Sequence, residues 1–262
     1  MKKMLLLSMN CIIEKLGDGI LNKYLADMHT HTVASGHALN TIEEMAHSAS
    51  ALGLSMLGIT EHTMTMPGTC SEDYFWELKN QIRSREGVEL CFGAEANIIG
   101  YDGSIDISQE LAKELDLVIA SIHNTIGYSA GNREENTAAI IGAIKNPYVN
   151  IIGHPDDSHL PMNYEAIVLA AKEYHTLLEI NNASLTPGGF RAEPRDNDIT
   201  ILLLCKKYDI PVILDSDAHS IDKIASRQYS MELVREVNFP DELIINYHPD
   251  RLRTYLNKYR KS

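Results

Sequence analysis

The chain has 262 residues, of which 44% are hydrophobic and 23% are charged, the ordinary balance of a globular protein. Its formal net charge of −13 argues against a protein that grips long nucleic acid through the phosphate backbone. No stretch approaches the ~20 consecutive apolar residues of a membrane-spanning helix, so we expect no membrane partner.

The first 22 residues are predicted to be an appendage to one domain that spans residues 23–262. Their charged start and apolar run faintly resemble a signal peptide, but the run breaks at Ser8 and Asn10 and no small-residue cleavage site follows. The four cysteines are widely spaced and form no CxxC pair: Cys11, Cys70, Cys91 and Cys205. We therefore expect free thiols and a cytoplasmic protein.

Short apolar runs then alternate with amphipathic stretches. The runs predict seven strands, at Tyr24–Met28, Leu54–Thr60, Val88–Ala94, Leu117–Ser121, Val149–Gly153, Thr176–Ile180 and Pro211–Leu214. Helices are predicted at Thr41–Leu52, Ser71–Arg85, Gln109–Leu115, Asn136–Lys145, Tyr164–Tyr174 and Asp196–Tyr208, with a turn or small hairpin at Asn97–Ile107 and a mostly helical end at Ile221–Tyr259. Repeated β-then-α units predict an α/β fold with parallel strands and helical crossovers. Seven strands rather than eight predict a distorted or incomplete (β/α)7 barrel.

Residues that can bind metal follow six of these strands. Nine are candidates: His29, His31, His37, His62, Glu95, His123, His154, Asp217 and His219. Barrel enzymes carry their chemistry at the carboxyl ends of the strands, where distant segments meet. An ion with an open catalytic position takes three or four protein ligands, so nine ligands suit two or three ions. The sequence therefore predicts a hydrolytic metalloenzyme.

The spacing of these residues suggests individual roles. His29 and His31 alternate along a strand, so both imidazoles can face one ion. Asp27 is expected behind them, where its carboxylate could orient an imidazole. Glu95 has two oxygens and can bridge two cations, whereas Glu61 should point to the opposite side and act as a supporting residue.

Substrate contacts are harder to assign. Arg191 and Arg195 lie in the loop after the sixth strand, and a guanidinium can pair with phosphate through two hydrogen bonds. The alternative for each arginine is a solvated loop charge. Glu179, Asn181 and Asn182 end the sixth strand and are candidates for either substrate contact or support of the ligands. The other histidines, at positions 47, 159, 175 and 248, are expected to be solvent-exposed or merely packed.

Seven segments occur in a characteristic order: DMHTHTVASGHA at residues 27–38, then GITEH, GAEANI, ASIHN, IGHP, LEINN and DSDAH. With them, residues 24–258 resemble the PHP (polymerase and histidinol phosphatase) superfamily, and most of all its YcdX-like branch of stand-alone phosphatases. The resemblance implies a distorted seven-stranded barrel and three metal ions. The family usually has Asp where this chain has Glu61.

The same resemblance implies a division of the ligands among the ions. The first ion would take His29, His31, Asp217 and one oxygen of Glu95. The second would take His37, His62 and His219, and the third would take His123, His154 and the other oxygen of Glu95.

These features predict a metal-dependent phosphoesterase that hydrolyses a small phosphate monoester, with a metal-bound hydroxide as the nucleophile and no side-chain nucleophile. The imidazole-rich ligand set favours zinc and leaves manganese or iron open. The expected partner is a small phosphorylated substrate. The sequence leaves open whether the protein forms a homo-oligomer. Two alternatives remain: a PHP-type exonuclease or nucleotide phosphohydrolase, and a catalytically silent metal-binding scaffold. The complete set of nine ligands disfavours the scaffold.

Overall fold

The computed structural model describes residues 24–260, so the predicted appendage at residues 1–22 lies outside the described residues. The strands are β1 (Ala26–Asp27), β2 (Met56–His62), β3 (Ser84–Arg85), β4 (Val88–Asn97), β5 (Leu117–Ser121), β6 (Ile151–Ile152), β7 (Leu177–Asn181) and β8 (Val212–Asp215). Seven of them are parallel and follow the order β1-β2-β4-β5-β6-β7-β8, while the short β3 pairs antiparallel with β4. The predicted seven-stranded α/β barrel is confirmed.

Helices connect the parallel strands and surround the sheet. They are α1 (Ile42–Ala51), α2 (Glu72–Leu78), α3 (Gln109–Glu114), α4 (Arg133–Lys145), α5 (Tyr164–Tyr174), α6 (Pro194–Tyr208), α7 (Gln228–Glu236), α8 (Pro249–Arg253) and α9 (Asn257–Arg260). The helix predicted at Ser71–Arg85 is wrong in its second half, where the chain turns back and forms β3. Within residues 24–260, no helix is both long enough and apolar enough to cross a bilayer.

Side chains join the two edge strands, β8 and β1, and so bring the sheet close to a closed barrel. Asp215 Oδ1 accepts a hydrogen bond from Met28 N at 2.9 Å. Asp27 accepts from Ser216 N at 3.1 Å and from Ser216 Oγ at 2.6 Å. The Asn246 amide donates to the carbonyls of both edge strands, at Ala26 and Leu214. Asp27 therefore ties the edge strands together, and the expectation that it orients an imidazole is wrong.

Two apolar layers fill the molecule, one between sheet and helices and one inside the barrel. The inner layer takes alternate residues of the strands, such as Met56, Cys91 and Leu117, as the pleat requires. Leu252 and Leu256 from the C-terminal helical segment complete this layer at the amino ends of the strands. That end of the barrel is therefore plugged, and polar inner positions remain only towards the carboxyl ends.

Candidate metal centre

Glu95, near the end of β4, lies at the centre of a cluster of imidazoles. Its Oε2 is 2.7 Å from His62 Nδ1 and 3.5 and 3.6 Å from the Nε2 atoms of His29 and His31. Asp217 Oδ1 lies 3.6 and 3.2 Å from the same two Nε2 atoms. Tetrahedral ligands at ordinary zinc–nitrogen distances lie about 3.4 Å apart, so this spacing is that of groups around a shared cation.

The other carboxylate oxygen of Glu95 faces a second group of imidazoles. Glu95 Oε1 is 2.8 Å from His154 Nε2 and 3.4 Å from His123 Nε2. On the far side of the cluster, His37 Nε2 and His219 Nε2 lie 3.0 Å apart. The fold thus brings all nine predicted ligands to one mouth of the barrel, with the two Glu95 oxygens directed to different imidazoles.

The nitrogen and oxygen atoms that face one another in this cluster are suitable ligands for divalent cations. Five of them are buried and have no hydrogen-bond partner among residues 24–260: His29 Nε2, His31 Nε2, His62 Nδ1, Glu95 Oε2 and Asp217 Oδ1. Buried polar atoms are nearly always paired, because loss of hydration without a partner is costly. Three compact groups of ligand atoms can be drawn from the cluster: His31, His62 and His219; His29, His31 and Asp217; and His62, Glu95 and His123.

The electrostatics of the cluster favour the ligand forms of Glu95, Asp217 and His31. At His29 and His62, burial is outweighed by the nearby carboxylates, chiefly Glu179 and Glu95 respectively, which raise the pKa of both imidazoles. Burial would raise the pKa of Glu95, but His123 and His62 hold it well below its ordinary value. Burial is likewise overcome at Asp217, whose pKa is lowered chiefly by His29. Burial, followed by His62, lowers the pKa of His31 well below its usual range. Ionised carboxylates and neutral imidazoles are the forms that coordinate metal.

Glu179, on β7, fixes the orientation of the ligands from behind. Its Oε1 lies 2.7 Å from His29 Nδ1, and its Oε2 accepts hydrogen bonds from His154 N at 2.8 Å and from Asn181 Nδ2 at 3.1 Å. A carboxylate behind an imidazole sets its tautomer and makes it a stronger ligand. Glu179 therefore has the role that the sequence analysis gave to Asp27.

Glu61 supports the cluster from the other side. It accepts hydrogen bonds from Ser35 Oγ at 2.5 Å and from Thr32 N at 3.0 Å. Ser35 Oγ in turn lies 3.0 Å from His31 Nδ1. Glu61 points away from the ligand atoms, in line with its predicted supporting role, and reaches His31 through Ser35.

Two of the candidate ligands have a backbone conformation that side-chain-bearing residues rarely adopt. His154 has φ 32° and Asp217 has φ 53°. Each follows the end of a strand, β6 or β8, where the turn redirects the next side chain towards the mouth. Such conformations cost free energy and are found where a site requires them.

Arg191 contacts the loops that follow β6 and β7, at the mouth of the barrel. Its Nη1 donates to Ser184 Oγ at 2.6 Å, and its Nε is 3.8 Å from Asp156 Oδ1. The side chain retains 19% exposure. Burial, followed by the charge of Arg191, lowers the pKa of His154 to about 4.

The other two predicted substrate contacts are placed differently. Arg195 is exposed and pairs with Glu236 on the outer surface. Asn181 is buried, and its amide nitrogen faces Glu179 and also Asp217 Oδ2 at 3.2 Å. The structure therefore places Arg191 at the mouth of the barrel, pairs the Asn181 amide with Glu179 and Asp217, and leaves Arg195 in an outer ion pair.

Comparisons with known proteins agree with this geometry. The PHP domain model matches residues 27–185. A probable phosphatase of Clostridium novyi (strain NT) is 43% identical over 239 residues, covering 91% of this chain and 97% of the relative. A probable phosphatase of Caldicellulosiruptor bescii is 43% identical over 235 residues, with coverage of 90% and 96%.

A solved structure shares the fold at lower identity. It is the crystal structure of histidinol phosphate phosphatase from Lactococcus lactis, complexed with zinc, L-histidinol and phosphate. The two folds match with a TM-score of 0.59 at 17% identity, covering 83% of this chain and 95% of the other. The resemblance drawn from the sequence motifs is confirmed, and the chain belongs to the PHP domain family.

Proposed function

We propose that this protein is a metal-dependent phosphatase that hydrolyses a small phosphate monoester at a cluster of three divalent ions. The observation that carries the proposal is the set of buried, unpartnered nitrogen and oxygen atoms around the two oxygens of Glu95. The similarity to relatives named probable phosphatases supports the choice of reaction.

The nine side chains divide among three ions in this proposal. His29, His31, Asp217 and Glu95 Oε2 hold the first; His37, His62 and His219 hold the second; His123, His154 and Glu95 Oε1 hold the third. The distances from Glu95 to both groups of imidazoles support a bridging carboxylate. A ligand set of seven imidazoles and two carboxylates favours zinc, with manganese or iron as the alternatives.

Each part of the site then has a defined task. Divalent ions bound here supply Lewis-acid neutralisation of the phosphoryl oxygens and a water of lowered pKa as nucleophile. Glu95 and Asp217 place negative charge where the cations gather, and Glu179 keeps His29 in the orientation that binds metal. Arg191 pairs with the phosphate group, since its guanidinium is anchored and still partly exposed.

The proposal is tested with protein purified without chelator. Elemental analysis should find close to three transition-metal ions per chain, and the metal-loaded enzyme should hydrolyse p-nitrophenyl phosphate faster than bis-p-nitrophenyl phosphate. Faster turnover of a labelled oligonucleotide than of the monoester would instead favour an exonuclease. Full metal content without turnover of any phosphate ester in a panel would favour the silent scaffold.

A further inference from the structure

A buried amide, that of Asn97, lies beside His123 at the mouth of the barrel. Asn97 is the last residue of β4 and is 0% exposed, and His123 follows β5. Asn97 Oδ1 is 2.8 Å from His123 Nδ1. The other ring nitrogen, His123 Nε2, is 3.4 Å from Glu95 Oε1. The two nitrogens of this imidazole therefore face different groups, one the amide and the other the shared carboxylate.

Asp106 fixes the orientation of the Asn97 amide. It lies in the hairpin after β4, where Ile98 and Ile105 form an antiparallel bridge. Asn97 Nδ2 donates to Asp106 Oδ2 at 2.8 Å and to Thr63 Oγ1 at 3.1 Å, and Asn97 N donates to Asp106 Oδ1 at 2.8 Å. Both hydrogens of the amide nitrogen are thus used. A flipped amide would place its oxygen against the carboxylate, where two acceptors would meet.

The orientation of the amide determines which nitrogen of His123 carries the proton. An amide oxygen only accepts hydrogen bonds, so His123 Nδ1 has to be the donor. In the neutral imidazole, Nε2 then has a free lone pair, which is directed towards Glu95 Oε1. A metal ion binds the unprotonated nitrogen of an imidazole. Asn97 therefore selects the form of His123 that can coordinate on the side of Glu95.

The same carboxylate joins the segments that carry three candidate ligands. Thr63, which directly follows His62, donates through Oγ1 to Asp106 Oδ1 at 2.5 Å. Thr63 N donates to Glu95 O at 3.2 Å. His62, Glu95 and His123 form one of the compact groups of ligand atoms. Asp106 thus contacts the ends of β2 and β4 while it orients the amide that faces His123.

We propose that Asp106 and Asn97 are positioning residues that hold His123 in the tautomer able to bind the third ion. This inference rests on the proposed metal centre and phosphatase function. Partners behind a ligating imidazole set its tautomer and its affinity for metal. The effect should be confined to the third ion, because imidazoles of the other ions have partners of their own, such as Glu179 for His29.

Asp106→Asn tests the inference, because it keeps the side-chain shape and replaces one acceptor oxygen by an amide nitrogen. The Asn97 oxygen can then turn to this nitrogen, so that the Asn97 nitrogen faces His123 Nδ1 and favours the wrong tautomer. In a zinc titration of metal-free protein, we expect one of three sites to weaken by about 10- to 100-fold. Asp102→Asn is the matched control: Asp102 is an exposed residue of the same hairpin, bonded to Ser104 N at 3.0 Å, and its variant should bind zinc as the wild type does.

Nitrogen-15 spectra of the histidine side chains separate positioning from a general structural effect. In metal-free wild type at mildly alkaline pH, His123 should carry its proton on Nδ1, and in Asp106→Asn the proton should move to Nε2. The signal is identified by its loss in His123→Gln. Asn97→Ala removes the acceptor and leaves the bond between Thr63 and Asp106 in place, so it should weaken the same zinc site.

Two results would overturn the inference: an unchanged tautomer of His123 in Asp106→Asn, or three zinc ions held by that variant with wild-type affinity. If the wild type binds three ions and hydrolyses no monoester, the proposed function fails, and the zinc titrations still decide the role of Asp106. If the wild type is active and Asp106→Asn binds zinc normally, only the positioning role fails. A wild type that binds no ion at His123 would overturn both.

Discussion

Glu89 and Glu95 lie on the same strand, β4, and have opposite surroundings. Glu89, at the amino end, is bound by fixed cations: Lys258 Nζ at 2.5 Å and Arg253 Nη2 at 2.9 Å, with the Tyr259 hydroxyl as a third partner. Glu95, near the carboxyl end, is surrounded by imidazoles. Glu89 is therefore paired with cations of the protein, whereas Glu95 faces imidazoles that can be neutral.

This difference separates a structural charge from a functional one. At the amino end, the C-terminal helices supply both the apolar plug and the positive charge, so each group has a partner within the protein. At the carboxyl end, several buried atoms have no hydrogen-bond partner among the described residues, including His29 Nε2, His31 Nε2 and Asp217 Oδ1. In the proposed metal centre, bound cations would supply the positive charge that satisfies them.

Removal of metal should have the largest effect on activity. Only the carboxyl end of the barrel should change. Treatment with chelator should lower activity on p-nitrophenyl phosphate by at least about a hundredfold, and zinc should restore it. The Tm should fall, because cations that bind the folded state stabilise it. Hydrogen exchange should increase around the ligand loops and stay unchanged near Glu89. Full activity in a preparation shown to be free of metal would contradict the proposed metal centre at the mouth of the barrel.

Substitution of the two glutamates gives the most direct comparison along β4. Glu95→Gln removes the negative charge that the two groups of imidazoles share, so we expect kcat to fall by at least about a hundredfold and metal content to drop. Glu89→Gln, the matched control on the same strand, should keep both. Steady-state kinetics and elemental analysis of the two variants measure the contrast. Equal loss of metal in both would show that the two ends are not independent.

Glu179→Gln should have a smaller effect on the same site. The change keeps the size of the side chain but weakens its interaction with His29 Nδ1, so the imidazole loses part of its orientation. Loss of such a partner commonly costs about 10- to 100-fold in metal affinity or activity, and we expect kcat to fall within that range. A titration of the apoenzyme with zinc gives the affinity. Unchanged kcat and zinc affinity would mean that Glu179 only supports the fold.

Much of this arrangement could be predicted from the sequence, because the signal is local. Each apolar run predicts a strand, and the candidate ligands follow these runs. The carboxyl ends of parallel strands meet at one mouth of the barrel. The lengths of the strands were less predictable. β1 pairs regularly only over Ala26–Asp27 and β6 only over Ile151–Ile152, since the chain departs from the sheet to direct ligands inward. The positive φ of His154 is part of this departure from the sheet, and the residue type does not predict it.

The supporting residues were harder to predict because their partners are distant in sequence. His29 meets Glu179, and the Asp27 carboxylate meets Ser216 on the opposite edge of the sheet. Glu179 is a candidate for support of the ligands, but the carboxylate nearest to His29 in the sequence is Asp27, so the sequence suggests the wrong partner for His29. The burial of an acidic side chain is also hard to predict. Asp198, near the start of α6, is buried, although an acidic residue there is ordinary on electrostatic grounds.

The smallest expected effect concerns stability at the amino end. Although burial opposes ionisation of Glu89, Lys258, Tyr259 and Arg253 lower its pKa from 4.5 to about 2. A lowered folded-state pKa means that the ionised carboxylate stabilises the fold above the ordinary pKa and loses that contribution as the pH falls towards 2. Because Glu89 and its partners are partly exposed, solvent screening reduces the contribution to about 1 kcal/mol.

Glu89→Gln should therefore lower the free energy of unfolding at pH 7 by about that amount, and the difference from the wild type should shrink as the pH is lowered from 5 to 3. Urea denaturation of both proteins across this range measures it, with metal-free samples used throughout so that metal loss in acid does not contribute. Lys172→Met, which removes a surface cation bonded to the Tyr208 carbonyl, is a control that should show little pH dependence there. A difference between Glu89→Gln and the wild type that stays constant from pH 7 to pH 3 would mean that packing, and not charge, makes Glu89 important. The contrast between the two ends of β4 would then rest on Glu95 alone.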